Sequence, residues 1–236
     1  MIERLMQSRL YKSIFRSGLP DTPLKKSMVM FNNFLLHIFP VKIKKHGIKF
    51  TFTYCLGGIS FLLFLILTIT GVLLMFLYAP TVERAYHDMK FLSTGVYNGQ
   101  ILRNLHRWAA HAMIITVFLH MVRVFYTRSY RPPREFNWVV GVMLFVLTLG
   151  LSYTGYLLPW DQLAYWGITV GTTIASYTPL IGDKVRFFML GADEVGQPAL
   201  LRFYVMHCVV LPLIAAAFMA IHLWRIRKDG GISDPL

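Results

Sequence analysis

The stretch His106–His120, HRWAAHAMIITVFLH, places two histidines at positions i and i+14 of a mostly apolar segment. A second stretch, His207–His222 (HCVVLPLIAAAFMAIH), repeats the arrangement with histidines at i and i+15. On an α-helix, the shorter interval falls about 40° short of four turns and the longer one about 60° past them, so each pair lies roughly on one helix face. The members of a pair are about 21–22 Å apart along the axis, which is most of a bilayer core of about 30 Å.

Two such helices side by side would offer two histidine–histidine sites, one above the other. An iron porphyrin with two axial imidazoles requires that arrangement, and the core of a helix bundle is where such sites form. A lone histidine in an apolar helix is more often a hydrogen-bonded core residue than a ligand. Four histidines at near-equal intervals on two segments favour haem ligation, because polar groups within a membrane are costly and usually functional.

The composition is that of an integral membrane protein. Of the 236 residues, 56% are hydrophobic and only 15% are charged, against about 25% in a soluble domain. The net charge of +13 could suit nucleic acid, but the basic residues gather beside apolar runs, so no nucleic-acid partner is expected. Two cysteines, Cys55 and Cys208, lie within apolar segments and imply no disulfide framework.

The apolar runs predict an all-α, integral membrane four-helix bundle that binds haem between its second and fourth helices. The predicted spans are helix A (54–79), helix B (101–126), helix C (137–158) and helix D (201–225). Pro212 lies within helix D and predicts a kink. Residues 80–100 are expected to form a loop, and the long link 161–200 is expected to carry short surface helices.

The domain organisation follows from charge. Residues 1–50 are predicted to form a basic amphipathic arm on the membrane surface that binds anionic lipid, with docking to a partner as the alternative. Residues 51–228 form the predicted haem-binding membrane domain, and 229–236 a short tail. With the N-terminus inside, 17 of the 24 lysines and arginines lie in inner segments. The positive-inside rule therefore predicts both termini on the cytoplasmic side or its equivalent.

In this topology helices B and D run in the same direction. His106 is then level with His207 on the outer side of the membrane, and His120 is level with His222 on the inner side. The pattern thus predicts an outer site and an inner site, each with one histidine from each helix.

Arginines and glycines accompany the histidines at regular spacing. Arg103 lies three residues before His106 and Arg123 three after His120, so both could pair with haem propionates or extend to the lipid headgroups. We expect Arg107 to serve the propionates as well. Two glycine pairs repeat the i, i+14 spacing, which favours close packing against haem over ordinary helix packing; they are Gly57 with Gly71, and Gly141 with Gly155.

Seven motifs give the chain a specific family resemblance beyond residue 50. They are YCLGG (54–58), APTVERAY (79–86), LHRW (105–108), PPRE (132–135), TGYLLPWDQ (154–162), VGQPALLRFY (195–204) and IRKDGGISDPL (226–236). With them, the chain resembles the cytochrome b6-type subunit of cytochrome b6f and related Rieske–cytochrome b complexes. The sequence departs from the family in its longer basic arm, in ISDPL where ISGPL is usual, and across 163–194.

The resemblance implies ligand roles. His106 and His207 would bind the iron of the outer b haem, and His120 and His222 that of the inner b haem. The four glycines match the family's haem-packing glycines. Cys55 would hold a third haem, of c type, through one thioether. Arg227 and Lys228 match basic residues near that haem and the inner quinone site.

The resemblance also implies a role in a complex. The expected function is that of a cytochrome b subunit in a quinol-oxidising, proton-translocating complex, a quinol:cytochrome c or plastocyanin type of oxidoreductase. Electrons would cross the membrane through the two b haems towards the c-type haem. The expected partners are a second cytochrome b subunit that completes the outer quinol site, a Rieske iron–sulfur protein and a c-type cytochrome. A dimeric complex is expected, in a bacterial inner, thylakoid or equivalent energy-transducing membrane.

Two alternatives belong to other functional classes. A dihaem membrane anchor would pass electrons between a dehydrogenase and the quinone pool without bifurcation, and it also needs four histidines. It does not need Cys55, the glycine pairs or the TGYLLPWD turn. A haem-free transport or structural protein could use the histidines as proton relays, and the absence of a Soret band would favour it.

Overall fold

The computed structural model describes residues 7, 8, 11, 21–31 and 49–229, whose regular structure is entirely helical. In chain order the helices are α1 (Pro23–Phe31), α2 (Phe50–Thr53), α3 (Leu56–Met75), α4 (Ala85–Thr94), α5 (Gly99–Tyr126), α6 (Glu135–Leu157), α7 (Gln162–Ser176), α8 (Gly182–Leu190), α9 (Gln197–Val205) and α10 (Leu211–Lys228). A π-helical turn, Met206–Val210, joins α9 to α10.

Within the described residues, four segments are long and apolar enough to cross a membrane: α3, α5, α6 and the continuous helix Gln197–Lys228. They correspond to the predicted helices A to D, so the all-α membrane fold with four spans is confirmed. The predicted basic arm lies largely outside the described residues, as does the tail beyond Asp229.

Helix A is shorter than its charge-free run. It spans Leu56–Met75, whereas the run extends over 54–79. Tyr54 and Cys55 have φ angles of 49° and 53°, in the left-handed region that an α-helix of L-residues cannot include. They separate the single turn α2 from α3 and set the position of the Cys55 side chain.

The connections contain more structure than predicted. Residues 80–100, expected to be a loop, include the helix α4. The turn before α4 is fixed by two side chains: the Ala79 N–H donates to the Asp88 carboxylate at 2.9 Å, and Gln197 contacts the backbone of Pro80 and Val82 at 2.9 Å each. The link 161–200 does carry helices, α7 and α8, as expected. Both helices also contain buried residues, so they are not confined to the surface.

A buried apolar cluster shows why α7 and α8 are ordered. Its members are at most 5% exposed; they are Leu157, Ile168, Leu190, Ala199 and Phe203. The Asp161 side chain caps α7 by accepting a hydrogen bond from the Ala164 N–H at 2.8 Å. The link therefore folds back on the ends of α6 and α9.

The chain divides into two compact units, and both contain parts of the four spanning helices. The first unit comprises the described residues up to Ile59, Thr116–Phe145 and the described residues from Ala216 onward. The second comprises Ser60–Ile115 and Val146–Ala215. Each unit contains one of the two histidine pairs.

Pro212 does not end the last spanning helix. The α-helical pattern instead changes to a π turn over Met206–Val210, directly before the proline, and resumes at Leu211. The Leu211 N–H donates to the Met206 carbonyl, which is five residues earlier. The predicted distortion is therefore present as a π turn that includes His207.

Candidate functional site

In the second unit, α5 and the π turn bring His106 and His207 together with their ring planes steeply inclined. Their ring centroids are 6.3 Å apart and their planes are inclined at 76°. Both residues are half-buried.

The hydrogen bonds of His106 define which of its ring nitrogens keeps a lone pair for a metal. Its Nδ1 lies 2.8 Å from the Thr70 hydroxyl, and that hydroxyl also lies 2.6 Å from the Ile66 carbonyl. The single hydroxyl proton goes to the carbonyl, which can only accept, so Nδ1–H of His106 donates to Thr70. The Nε2 lone pair of His106 is then free to bind a metal.

His207 is held in the same tautomer by a different helix. Its Nδ1 lies 3.0 Å from the Leu151 carbonyl and 3.2 Å from the Thr154 hydroxyl, both on α6. Because the carbonyl can only accept, Nδ1 carries the proton and Nε2 keeps its lone pair. Both rings of this pair are therefore fixed through Nδ1, as is typical of metal-binding histidines.

In the first unit, α5 and α10 bring His120 and His222 together in nearly the same way. The ring centroids are 6.4 Å apart and the planes are inclined at 80°. The two histidine pairs therefore have almost the same separation and almost the same inclination.

The separation suits two axial ligands on one iron. A ligating imidazole nitrogen lies about 2.0 Å from its metal and the ring centroid about 1.1 Å beyond, so two opposed imidazoles have centroids about 6.2 Å apart. In the part of the chain that the structure describes, no group of three or more His, Cys, Asp or Glu side chains could hold a metal ion. A donor set of two opposed imidazoles suits a macrocycle that provides the remaining ligands.

Each predicted glycine lies against one histidine ring. A Cβ placed on Gly71 would lie 3.3 Å from Cε1 of His106, and one on Gly155 would lie 2.5 Å from Cε1 of His207. In the first unit the corresponding distances are 3.2 Å from Gly57 to His120 and 3.6 Å from Gly141 to His222. The regular glycine spacing on α3 and α6 thus matches one glycine to each histidine.

Two of the three predicted haem-propionate arginines, Arg103 and Arg123, contact other parts of the protein. Arg103 donates to the Ser93 hydroxyl at 2.9 Å, so it ties α5 to α4. Arg107 is exposed. Arg123 donates through Nε to the Phe52 carbonyl at 2.9 Å, and its guanidinium lies 4.3 Å from the centroid of that residue's ring. Arg123 therefore anchors the segment directly before Cys55.

Cys55 has an exposed thiol at a strained connection. Its own φ and that of Tyr54 are positive, which costs on the order of 1–3 kcal/mol per residue. Its N–H lies 3.2 Å from the Thr53 hydroxyl. A Cβ on Gly58 would lie 2.9 Å from Cys55 Sγ, so the glycine provides the space for the thiol. This role of Gly58 was not predicted from sequence.

The C-terminal turn of α10 carries a buried charge cluster that sequence reasoning also missed. Arg225 is fully buried, lies 3.2 Å from the Asp229 carboxylate, and places its guanidinium 5.2 Å from the Phe136 ring centroid. The two predicted quinone-site residues lie between these two in the sequence. Lys228 lies 4.8 Å from the Trp224 ring centroid, and Arg227 has a buried Nη1 without a partner among the described residues.

Comparisons with known proteins give one consistent family. The family model described as cytochrome b/b6/petB matches residues 41–230. Cytochrome b6 of Heliobacterium modesticaldum is 45% identical over 183 residues, which are 78% of this chain and 85% of that protein. Cytochrome b6 of Porphyra purpurea is 44% identical with the same coverage.

A solved structure supports the same assignment. A chain of a hyperthermophilic respiratory Complex III superposes with a TM-score of 0.73 at 27% identity. The match covers all of this chain but 56% of that one, so this chain spans just over half of its length. By its family match and its relatives, the chain belongs to the cytochrome b/b6 family of membrane haem proteins of electron transport.

Proposed function

We propose that the chain is the cytochrome b subunit of a quinol-oxidising, proton-translocating Rieske–cytochrome b complex. It would carry electrons across the membrane through two b haems, one ligated by His106 and His207 and one by His120 and His222. The observation that carries the proposal is the repeated site: two histidine pairs of equal geometry, with one glycine against each ring.

The protein's own contribution is to hold and enclose the ligands. Bound haem supplies reversible one-electron chemistry at its iron. Thr70, Leu151 and Thr154 contact Nδ1 of His106 and His207, so Nε2 of each ring keeps the lone pair that a metal would need. All four histidines are half-buried, and the four glycines leave room for their rings.

A third, c-type haem attached to Cys55 forms the finer part of the proposal. The exposed thiol above Gly58 supports it, because thioether formation requires an accessible sulfur. Arg227 and Lys228 would serve the inner quinone site beside it. Arg103, Arg107 and Arg123 remain the candidates for propionate partners, since each lies within one turn of a histidine.

The wider assembly is proposed on family grounds. A second cytochrome b subunit, a Rieske iron–sulfur protein and a c-type cytochrome would complete a dimeric complex. Both termini would lie on the cytoplasmic or equivalent negative side. The basic arm, residues 1–50, would rest on anionic lipid and precede the haem-binding domain 51–228.

Covalent attachment gives the decisive test of the c-type haem. Denaturing electrophoresis followed by haem peroxidase staining should give a stained band, because b haems dissociate on denaturation and a thioether-bound haem does not. Cys55→Ala should abolish the band and Cys208→Ala should leave it unchanged. An unstained wild-type band, from cells that attach such haems, would remove the c-type haem and favour the dihaem anchor.

A further inference from the structure

The two histidine intervals differ by one residue, yet the two ring pairs have the same geometry. Helix α5 is unbroken α-helix and places His106 and His120 at positions i and i+14. The last spanning helix places His207 and His222 at i and i+15. On regular α-helices the two intervals would differ in angle by about 100°, which is one residue. Both ring pairs nevertheless form, at 6.3 and 6.4 Å.

The π turn accounts for this difference. Its Leu211 N–H donates to the carbonyl of Met206 rather than to that of His207. A turn closed between residues five apart contains one residue more than an α turn and leaves the following helix in nearly the same phase. The 15-residue interval with one π turn therefore brings its two histidines to nearly the same relative angle as the 14-residue interval in regular α-helix.

Pro212 explains why the extra residue is located there. It cannot donate a hydrogen bond, and in a continuous α-helix its ring would press against the carbonyl of Cys208, four residues earlier. A wider turn directly before the proline relieves that contact. The π turn thus relieves the steric conflict of Pro212 and also adjusts the spacing of the two histidine ligands.

We infer that the π turn Met206–Val210, enforced by Pro212, is the positioning device that absorbs the extra residue and keeps His207 and His222 in ligand register. The inference rests on the proposed haem ligation. Residues of the turn other than His207 are positioning residues, because none of them is required to bind the iron.

Deletion of Val209 tests the inference. Val209 is 44% exposed, so its removal takes no buried side chain from the protein. The deletion shortens the interval by one residue, to that of α5, so no extra residue remains for the turn to absorb. We expect the purified protein to keep the wild-type ratio of extractable b haem to polypeptide and the wild-type reduced-minus-oxidised spectrum.

The matched control is deletion of Ile115 from α5. This residue is 59% exposed and also lies between two ligands, but no π turn is present there to absorb the change. The shortened interval falls about 140° short of four turns, so about half of the extractable haem should be lost. Equal losses from both deletions, with a complete wild-type haem content, would overturn the inference.

A second variant decides the case if the Val209 deletion alone fails to accumulate. Combining that deletion with Pro212→Ala removes the proline ring from the shortened helix, and the double variant should accumulate with both b haems. A double variant that lacks one haem, or does not accumulate, would contradict the inference. A wild-type protein without extractable haem would instead overturn the proposed function, and the inference with it.

Discussion

His207→Ala should remove about half of the extractable b haem, and His106→Ala should remove the same half. One iron needs both axial imidazoles of a pair, so the loss of either ring removes that haem. The double variant His106→Ala/His207→Ala should therefore be no worse than either single variant, because the two residues act as one unit. Haem-to-polypeptide ratios of the purified proteins provide the measurement.

The control lies on the same helix. His111 is exposed on α5, with its ring 5.7 Å from that of Trp108 and outside both pairs. His111→Ala should leave the haem content unchanged. Partial losses that add up in the double variant, or a loss from His111→Ala, would contradict the assignment of His106 and His207 to one iron.

Gly155→Ala should weaken haem retention far more than the same change at Gly141. The new Cβ at residue 155 would lie 2.5 Å from His207 Cε1 and 3.0 Å from both ring nitrogens. Overpacking of this kind costs about 1–3 kcal/mol, which corresponds to roughly 5- to 150-fold weaker retention. The ring is also tied to Leu151 and Thr154, so it cannot move away without losing its hydrogen bonds.

Gly141→Ala is the matched comparison on the same helix. Its Cβ would lie 3.6 Å from His222 Cε1, an ordinary contact, and alanine is the better helix former by about 1 kcal/mol. Haem retention should change by less than about threefold. Transfer of haem to excess apomyoglobin measures retention in both variants. Equal effects at the two positions would show that the histidine contacts do not determine the role of these glycines.

The spans and the histidine pairing were predictable because both depend on simple periodicity. Apolar runs of about 20 residues or more indicate membrane helices. Histidines at i, i+14 and at i, i+15 indicate a shared helix face. The same reasoning found the glycines, but it could not say that each one contacts a histidine ring. That pairing depends on how α3 and α6 lie against their neighbours in each unit.

The remaining features were hidden because local sequence did not signal them. Neither Tyr54 nor Cys55 is a residue that favours positive φ, so the break before α3 had no marker. Nothing in the charged turn at the end of α10 signals that Arg225 and Asp229 are buried together. The proline predicted a disturbance but not its form, because a π turn depends on the ligand register as well as on Pro212.

Haem stoichiometry before and after extraction tests the central claim most directly. The purified complex is extracted with acidified acetone, and haem is quantified per polypeptide of this chain. Two opposed histidine pairs and one attached thiol predict three haems before extraction and one, still bound to the chain, afterwards. One extractable haem, or none, would contradict the account, because each histidine pair would then not hold an iron of its own.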